Sequence, residues 1–223
     1  MTSRLAILAV AALALGAPAW ADEMKGEISG SAGYTFSDGV TTNVALVAGD
    51  GNVYNRVDPK DSFSWGFTAG YFFTENWELE FLYDRQQSTL QLGGTNTRDV
   101  GNLNISNYHG VFSYHFGDSS TKARPYVFFG AGATNYGGVN YTRLNGQTGT
   151  TDGHSNFSGT FGLGVKVYPS PHAGLRLQAR WTPTYIKTDS AGWWCDPYWG
   201  CYVVGNSQYS NQFEFTGGLS LRF

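Results

Sequence analysis

The chain is expected to be all-β, an eight-stranded antiparallel up-and-down transmembrane β-barrel that turns its apolar face to lipid. Three observations predict this. In the last eleven residues, Phe213, Phe215, Gly217, Leu219, Leu221 and Phe223 share one parity, and Glu214, Thr216, Gly218, Ser220 and Arg222 share the other. A strand sends successive side chains to opposite faces, so the segment has one apolar and one polar face. Seven earlier segments show the same two-residue period. The connections between the segments alternate between short and long.

Composition agrees with that class and removes others. Charged residues are 14% of the 223 and aromatics 16%; soluble globular domains carry about 25% charged residues. The net charge of -3 argues against a nucleic-acid binder, which is usually basic. After residue 21 nothing approaches the ~20 apolar residues that a membrane helix needs. A mature chain in a membrane must then close its sheet, because open sheet edges have no hydrogen-bond partners in lipid. The leader, residues 1–21, reads as a cleaved signal peptide. Arg4 supplies the positive start, residues 5–15 the apolar core, and Ala19-Trp20-Ala21 the small-x-small cleavage site. The barrel domain is expected over 22–223. Export places the chain in an oxidising compartment, where Cys195 and Cys201 read as a disulfide.

The segments follow in order. The first, 27–36, puts Ile28, Gly30, Ala32, Tyr34 and Phe36 on one face. The second, 62–72, puts Phe63, Trp65, Phe67, Ala69 and Tyr71 outward. The third, 77–87, sets Trp77, Leu79, Phe81 and Tyr83 against Glu78, Glu80 and Asp84. The fourth, 104–116, breaks the pattern: Tyr108, Gly110, Phe112, Tyr114 and Phe116 keep one parity, while Leu103 and Ile105 keep the other. A bulge or a later strand start would explain the switch. The fifth, 124–134, is apolar on both faces and has no assignable parity. The sixth, 156–168, has Phe157, Phe161, Leu163, Val165 and Val167 on one side. The seventh, 174–187, sets Leu175, Leu177, Ala179, Trp181 and Tyr185 against Arg176, Gln178, Arg180 and Thr182. The terminal segment, 213–223, is the eighth.

Short links fall at 73–76, 117–123 and 169–173, and long ones at 37–61, 88–103, 135–155 and 188–211. Short periplasmic turns with long external loops are the pattern of outer-membrane barrels. Each segment also satisfies the roughly 9–11 residues that a tilted strand needs to cross.

The leader, the run Gly70-Tyr-Phe-Phe-Thr-Glu-Asn-Trp-Glu-Leu-Glu-Phe81, the run Ala123-Arg-Pro-Tyr-Val-Phe-Phe-Gly-Ala-Gly132 and the aromatic end together resemble the small eight-stranded outer-membrane barrels of Gram-negative bacteria. That group includes surface-antigen and opacity-type proteins, and the likeness spans essentially the whole mature chain. It implies a cell outer membrane location, outer-membrane lipid and lipopolysaccharide as surroundings, and structural, adhesive or small-pore roles. It also implies that the barrel-assembly machinery reads Phe223 and its strand.

Parity places Glu78, Glu80, Asp84, Lys166, Arg176, Arg180, Glu214 and Arg222 in the lumen. Eight strands leave room only for side chains, so these charges are expected to pair as a plug. A gated pore lined by the same groups is the alternative. Trp77, Phe116, Tyr168 and Phe223 fall at periplasmic ends, and Tyr83, Trp181 and Tyr185 toward outer ends, as girdle residues. In the last loop, Trp193, Trp194, Tyr198, Trp199 and Tyr202 surround a ring that Cys195 and Cys201 would close. They form either an exposed aromatic knob for an extracellular ligand or host surface, or a tip lying on the rim or in lipid.

No catalytic, metal or cofactor site is expected. His154 and Ser155 are adjacent, so on a strand they face opposite ways and make no nucleophile–base pair. His109 and His115 share a face at a separation of roughly 20 Å, too far for one metal. Gly130-Ala-Gly132 and Gly162-Leu-Gly164 lack the third glycine and the helix of a dinucleotide site. The chain therefore reads as a monomeric, non-enzymatic surface barrel. A small pore or hydrophobic-solute conduit is the first alternative, and a lipid A-modifying enzyme the second.

Overall fold

The computed structural model describes residues 25–47, 52–118, 120–142, 148–150, 152–186, 194–196, 200–202 and 208–223. The expected leader lies outside them. Among the described residues fourteen strands run in order: β1 (Gly26–Ser37), β2 (Val40–Val47), β3 (Val53–Pro59), β4 (Ser62–Phe72), β5 (Trp77–Gly94), β6 (Arg98–His115), β7 (Ala123–Tyr136), β8 (Asn140–Thr142), β9 (Thr148–Thr150), β10 (His154–Val167), β11 (Ala173–Ile186), β12 (Trp194–Asp196), β13 (Gly200–Tyr202) and β14 (Gln208–Arg222).

Eight of these close a ring. β1, β4, β5, β6, β7, β10, β11 and β14 each pair antiparallel with the next, and β14 pairs back onto β1 from Glu27↔Arg222 to Ser37↔Gln212. Phe223 and Gly26 exchange two backbone hydrogen bonds of 2.9 Å at the seam. At Gly33 on this seam a Cβ would sit 1.9 Å from the Phe215 carbonyl oxygen. Only a residue without one lets the two backbones approach so closely.

The barrel is inside-out relative to a soluble protein. Large apolar residues such as Phe161, Leu175, Phe215 and Leu219 are exposed on the outer wall, while Glu78, Glu80, Lys166 and Arg180 are buried. Soluble proteins almost never fully bury such groups unless they are paired. An outer wall of this kind suits hydrocarbon. Trp77, Phe116 and Phe223 do lie exposed at the end of the short turns. Tyr168 does not: it is buried, and its hydroxyl donates to Glu27 Oε2 at 2.6 Å. It shares the parity of Lys166, so the alternation of its own segment directs it inward.

Segment four contains no bulge at the parity switch. β5 and β6 pair without a shift from Trp77↔Tyr114 to Leu90↔Gly101. Leu103 and Ile105 are inward residues, and they are buried. What changes is the medium. Below Tyr83 and Tyr108 the outer wall is apolar and the lumen polar. Above them the outward positions are Arg85, Gln87, Ser106 and Asn104, and the lumen becomes apolar. The strands therefore continue well beyond the membrane into what the sequence reads as the loop at 88–103. Segment five resolves in the same way. Tyr126, Phe128 and Thr134 point inward and Val127 and Phe129 outward, because an aromatic cluster with Leu82 and Val111 sits inside the barrel there.

The long connection at 37–61 is a hairpin. β3 adds to the upper part of β5 from Tyr54↔Gly94 to Pro59↔Leu90, and β2 adds to β3. Arg56 on it bonds Asp38 and Asp58, and the hydrogen bond to Asp58 raises its pKa above the ordinary guanidinium value. β8–β9 and β12–β13 are small ladders within the third and fourth connections.

Candidate functional site

The lumen is stacked in storeys. At the floor, Lys166 Nζ lies 2.7 Å from both Glu27 Oε1 and Glu78 Oε2. His115 Nε2 contacts the same Glu78 oxygen at 2.8 Å. Arg222 is 3.6 Å from Glu27 and covers the rings of Tyr168 and Phe72. One level up, Arg176 Nη1 donates to Glu80 Oε2 at 2.5 Å and to Thr68, while its other nitrogens reach Gln178. Its guanidinium stacks over Tyr126, which explains the inward aromatics of β7. Above that, Arg180 Nη2 lies 2.5 Å from both Asp84 and Glu214, and Ser64 donates to Glu214 at 2.6 Å.

All eight residues placed in the lumen from sequence therefore sit there. Seven are buried, and Arg222 is partly exposed at the floor. Glu27, His115 and Arg124 belong to the same assembly, beyond those eight. Glu27 was legible, since Ile28 and Gly30 face outward. Arg124 was not, because its segment had no parity. Arg124 Nη2 holds the Glu75 carbonyl at 2.6 Å and so ties down the first short turn.

A neutral storey follows. Asn107 Nδ2 donates to Asp84 and Gln212, Gln212 Nε2 to Gln86, and Gln86 Nε2 to Ser37, while Thr134 links Asn107 to Ser158. The top storey is apolar. Val40, Tyr54, Val57, Leu90, Leu103, Ile105, Tyr136, Val139 and Ile186 form one buried cluster. The β2–β3 hairpin and the stretch after β7 supply Val40, Tyr54, Val57 and Val139, so they close the outer mouth over it. No apolar core of this kind follows from the transmembrane periodicity, because its residues lie above the membrane.

Two arrangements invite chemistry. Glu78, Glu80 and His115 offer ligand atoms within 4.8 Å of one another. Lys166 and Arg176 already occupy both carboxylates, so their positive charge stands where a cation would. His109 Nε2 and Ser158 Oγ are 2.9 Å apart, a buried pair that the sequence did not indicate. His109 Nδ1 has no partner among the described residues, so no carboxylate orients the ring as a base. His154 and Ser155, by contrast, pair across to Tyr136 and Asn135 on opposite faces of β10.

The aromatic loop falls partly outside the described residues, which omit Trp193, Tyr198 and Trp199. The ladder between β12 and β13 sets Cys195 directly opposite Cys201, with Trp194 opposite Tyr202. Antiparallel partners have Cα atoms about 4.5–5.5 Å apart, within the span of a disulfide.

Among solved structures, the fold is similar to the outer membrane protein OprG from Pseudomonas aeruginosa, with a TM-score of 0.59 and 13% identity over 90% of this chain and 97% of that one. It is also similar to Neisserial surface protein A, with a TM-score of 0.54 and 13% identity over 89% and 97%. AlkL in lipid bilayers gives a TM-score of 0.53 and 17% identity over 93% and 95%. In sequence, 110 residues are 32% identical to outer membrane porin F of Pseudomonas fluorescens. That stretch is 49% of this chain, and the chain spans about a third, 31%, of that relative's length. The model of the outer membrane protein beta-barrel domain matches residues 7–223. With its closed ring, lipid-facing aromatic wall and paired lumen charges, the chain belongs to the outer membrane protein beta-barrel domain family and resides in the cell outer membrane.

Proposed function

We propose that this is a monomeric, non-enzymatic surface protein whose lumen is closed and whose activity lies at its outer rim. The observation that carries the proposal is the filled lumen. Lys166, Arg176 and Arg180 are each buried against a carboxylate at 2.5–2.7 Å, beneath a packed apolar storey. A hydrated pore would leave such groups solvated. The test is planar-bilayer recording of the purified mature protein. Silence is expected, and sustained discrete openings would overturn the closed plug.

At the rim, the loop carrying Trp193, Trp194, Tyr198, Trp199 and Tyr202 is the candidate contact for an extracellular ligand or host surface. A Cys195–Cys201 disulfide would hold it. Such a short ring contributes roughly 2–3 kcal/mol by chain-entropy arithmetic. Trp199→Ala is expected to weaken attachment of expressing cells to a host surface about tenfold or more, as for a central aromatic contact. Unchanged attachment with a folded barrel would remove the knob from the interaction. Phe223, exposed at the closing seam, is available to the assembly machinery.

The apolar storey specifically favours a second reading, a conduit for a hydrophobic solute. A hydrocarbon would lose nothing on entering it, whereas an ion would. Uptake of an apolar dye into protein-containing liposomes separates the two readings.

A further inference from the structure

One row of outward side chains is neither girdle nor loop. Pairing runs in unbroken register from Trp65 to Arg85, from Arg85 to Ser106, from Ser106 to Asn135 and from Asn135 to Ser155, across β4, β5, β6, β7 and β10. The four residues after Trp65 are polar and face away from the lumen. The row directly beneath is Phe67, Tyr83, Tyr108, Ala133 and Phe157, and its first three rings touch at 5.1–5.3 Å between centroids. Aromatic belts of this kind mark the membrane–water boundary. The polar row thus sits at headgroup level, at the end of the barrel that carries the long loops.

Arg85 is the only cation in the row. It makes no ion pair or side-chain hydrogen bond among the described residues, and its Nε is buried without a partner. Asn135 Nδ2 donates to Ser155 Oγ at 2.8 Å, which leaves the hydroxyl proton of Ser155 pointing elsewhere. A guanidinium fork with neighbouring hydroxyl and amide groups, seated on an aromatic ledge, matches a phosphate joined to a sugar above acyl chains. From this row we infer a docking site for lipid A on the β5–β10 flank of the barrel, with Arg85 binding a glucosamine-linked phosphate. Ser106, Asn135 and Ser155 contact the sugar, and Tyr83, Tyr108 and Phe157 support the first carbons of the acyl chains. The charge selects a phosphorylated lipid, and the polar row selects a glycolipid over a glycerophospholipid of the same charge.

The test is native mass spectrometry of the folded full barrel in detergent with three lipids: bisphosphorylated lipid A, the same lipid after phosphatase treatment, and phosphatidylglycerol. The wild type should retain bisphosphorylated lipid A about tenfold better than the dephosphorylated lipid, as for one charge-assisted contact, and better than phosphatidylglycerol through the polar row. Arg85→Ala should remove the preference over dephosphorylated lipid A, and Arg85→Lys, which keeps the charge, should retain part of it. Arg85→Gln keeps a polar side chain without the charge and must fall with Arg85→Ala, which covers a misfolded alanine variant. Heat-modifiable gel mobility checks that each variant is folded. Equal retention of lipid A by wild type and Arg85→Gln would overturn the site, and so would equal retention of lipid A and phosphatidylglycerol by the wild type.

Discussion

Lys166→Met is expected to cost about 3–5 kcal/mol of stability, the range for removing one partner of a buried ion pair. The ammonium bridges Glu27 and Glu78 at 2.7 Å each, and all three side chains are almost fully buried. Methionine fills nearly the same volume but removes the cation between the two carboxylates, leaving only Arg222, 3.6 Å from Glu27, beside them. The loss would appear as a lower urea midpoint in detergent micelles and as unfolding at a lower temperature on a heat-modifiable gel. Adding Glu78→Gln to Lys166→Met should recover part of it, because one of the stranded charges is then gone. Groups joined in one network couple by about 0.5–3 kcal/mol. A single variant as stable as wild type would mean that water reaches the floor, and the pore alternative would gain.

Ile105→Ala is expected to cost about 2–5 kcal/mol, the usual range for emptying a packed apolar site. Ile105 is fully buried among Leu90, Leu103, Tyr136 and Ile186. The β2–β3 hairpin seals that cluster from above, so it has limited freedom to collapse into the gap. Equilibrium urea unfolding reads the stability change. The same variant probes the conduit reading, under which widening the apolar storey accelerates apolar-dye uptake. A closed storey gives the stability loss with no gain in uptake. A variant with wild-type stability would contradict the packed storey itself.

The two changes act on opposite ends of the lumen, and only one end was legible from sequence. Glu78, Glu80 and Asp84 alternate with Trp77, Leu79, Phe81 and Tyr83, so their direction follows from period two once one face is assigned to lipid. The five other lumen charges, Lys166, Arg176, Arg180, Glu214 and Arg222, follow the same rule on β10, β11 and β14. Leu90, Leu103 and Ile105 obey the same geometry but the opposite chemistry. Beyond the headgroups the outer wall meets water and the lumen is shielded, so the apolar parity moves inside. Period two does not reveal where that crossing lies. A reversed parity therefore looks like a bulge, and an extended strand like a loop. Tyr126 and Phe128 were ambiguous for a related reason: Tyr126 lies under Arg176 and Lys166 inside the lumen, Phe128 stacks on its ring, and a polar-in rule has no place for them.

By itself the sequence determined that the chain alternates, that it spans as strands, which of its charges face inward on the clean segments, and where the short turns lie. These are local properties, set by the pleat and by the contrast between hydrocarbon and water. Tertiary structure alone decided which charges meet. Lys166 reaches Glu27 and Glu78 across the lumen, and Arg180 joins Asp84 to Glu214, because closing eight strands with a stagger brings distant positions to one height. It also decided that the top of the barrel is an apolar core and that Arg85 stands in a polar row one step above an aromatic belt. Register between strands is a property of the closed ring, and no single segment carries it.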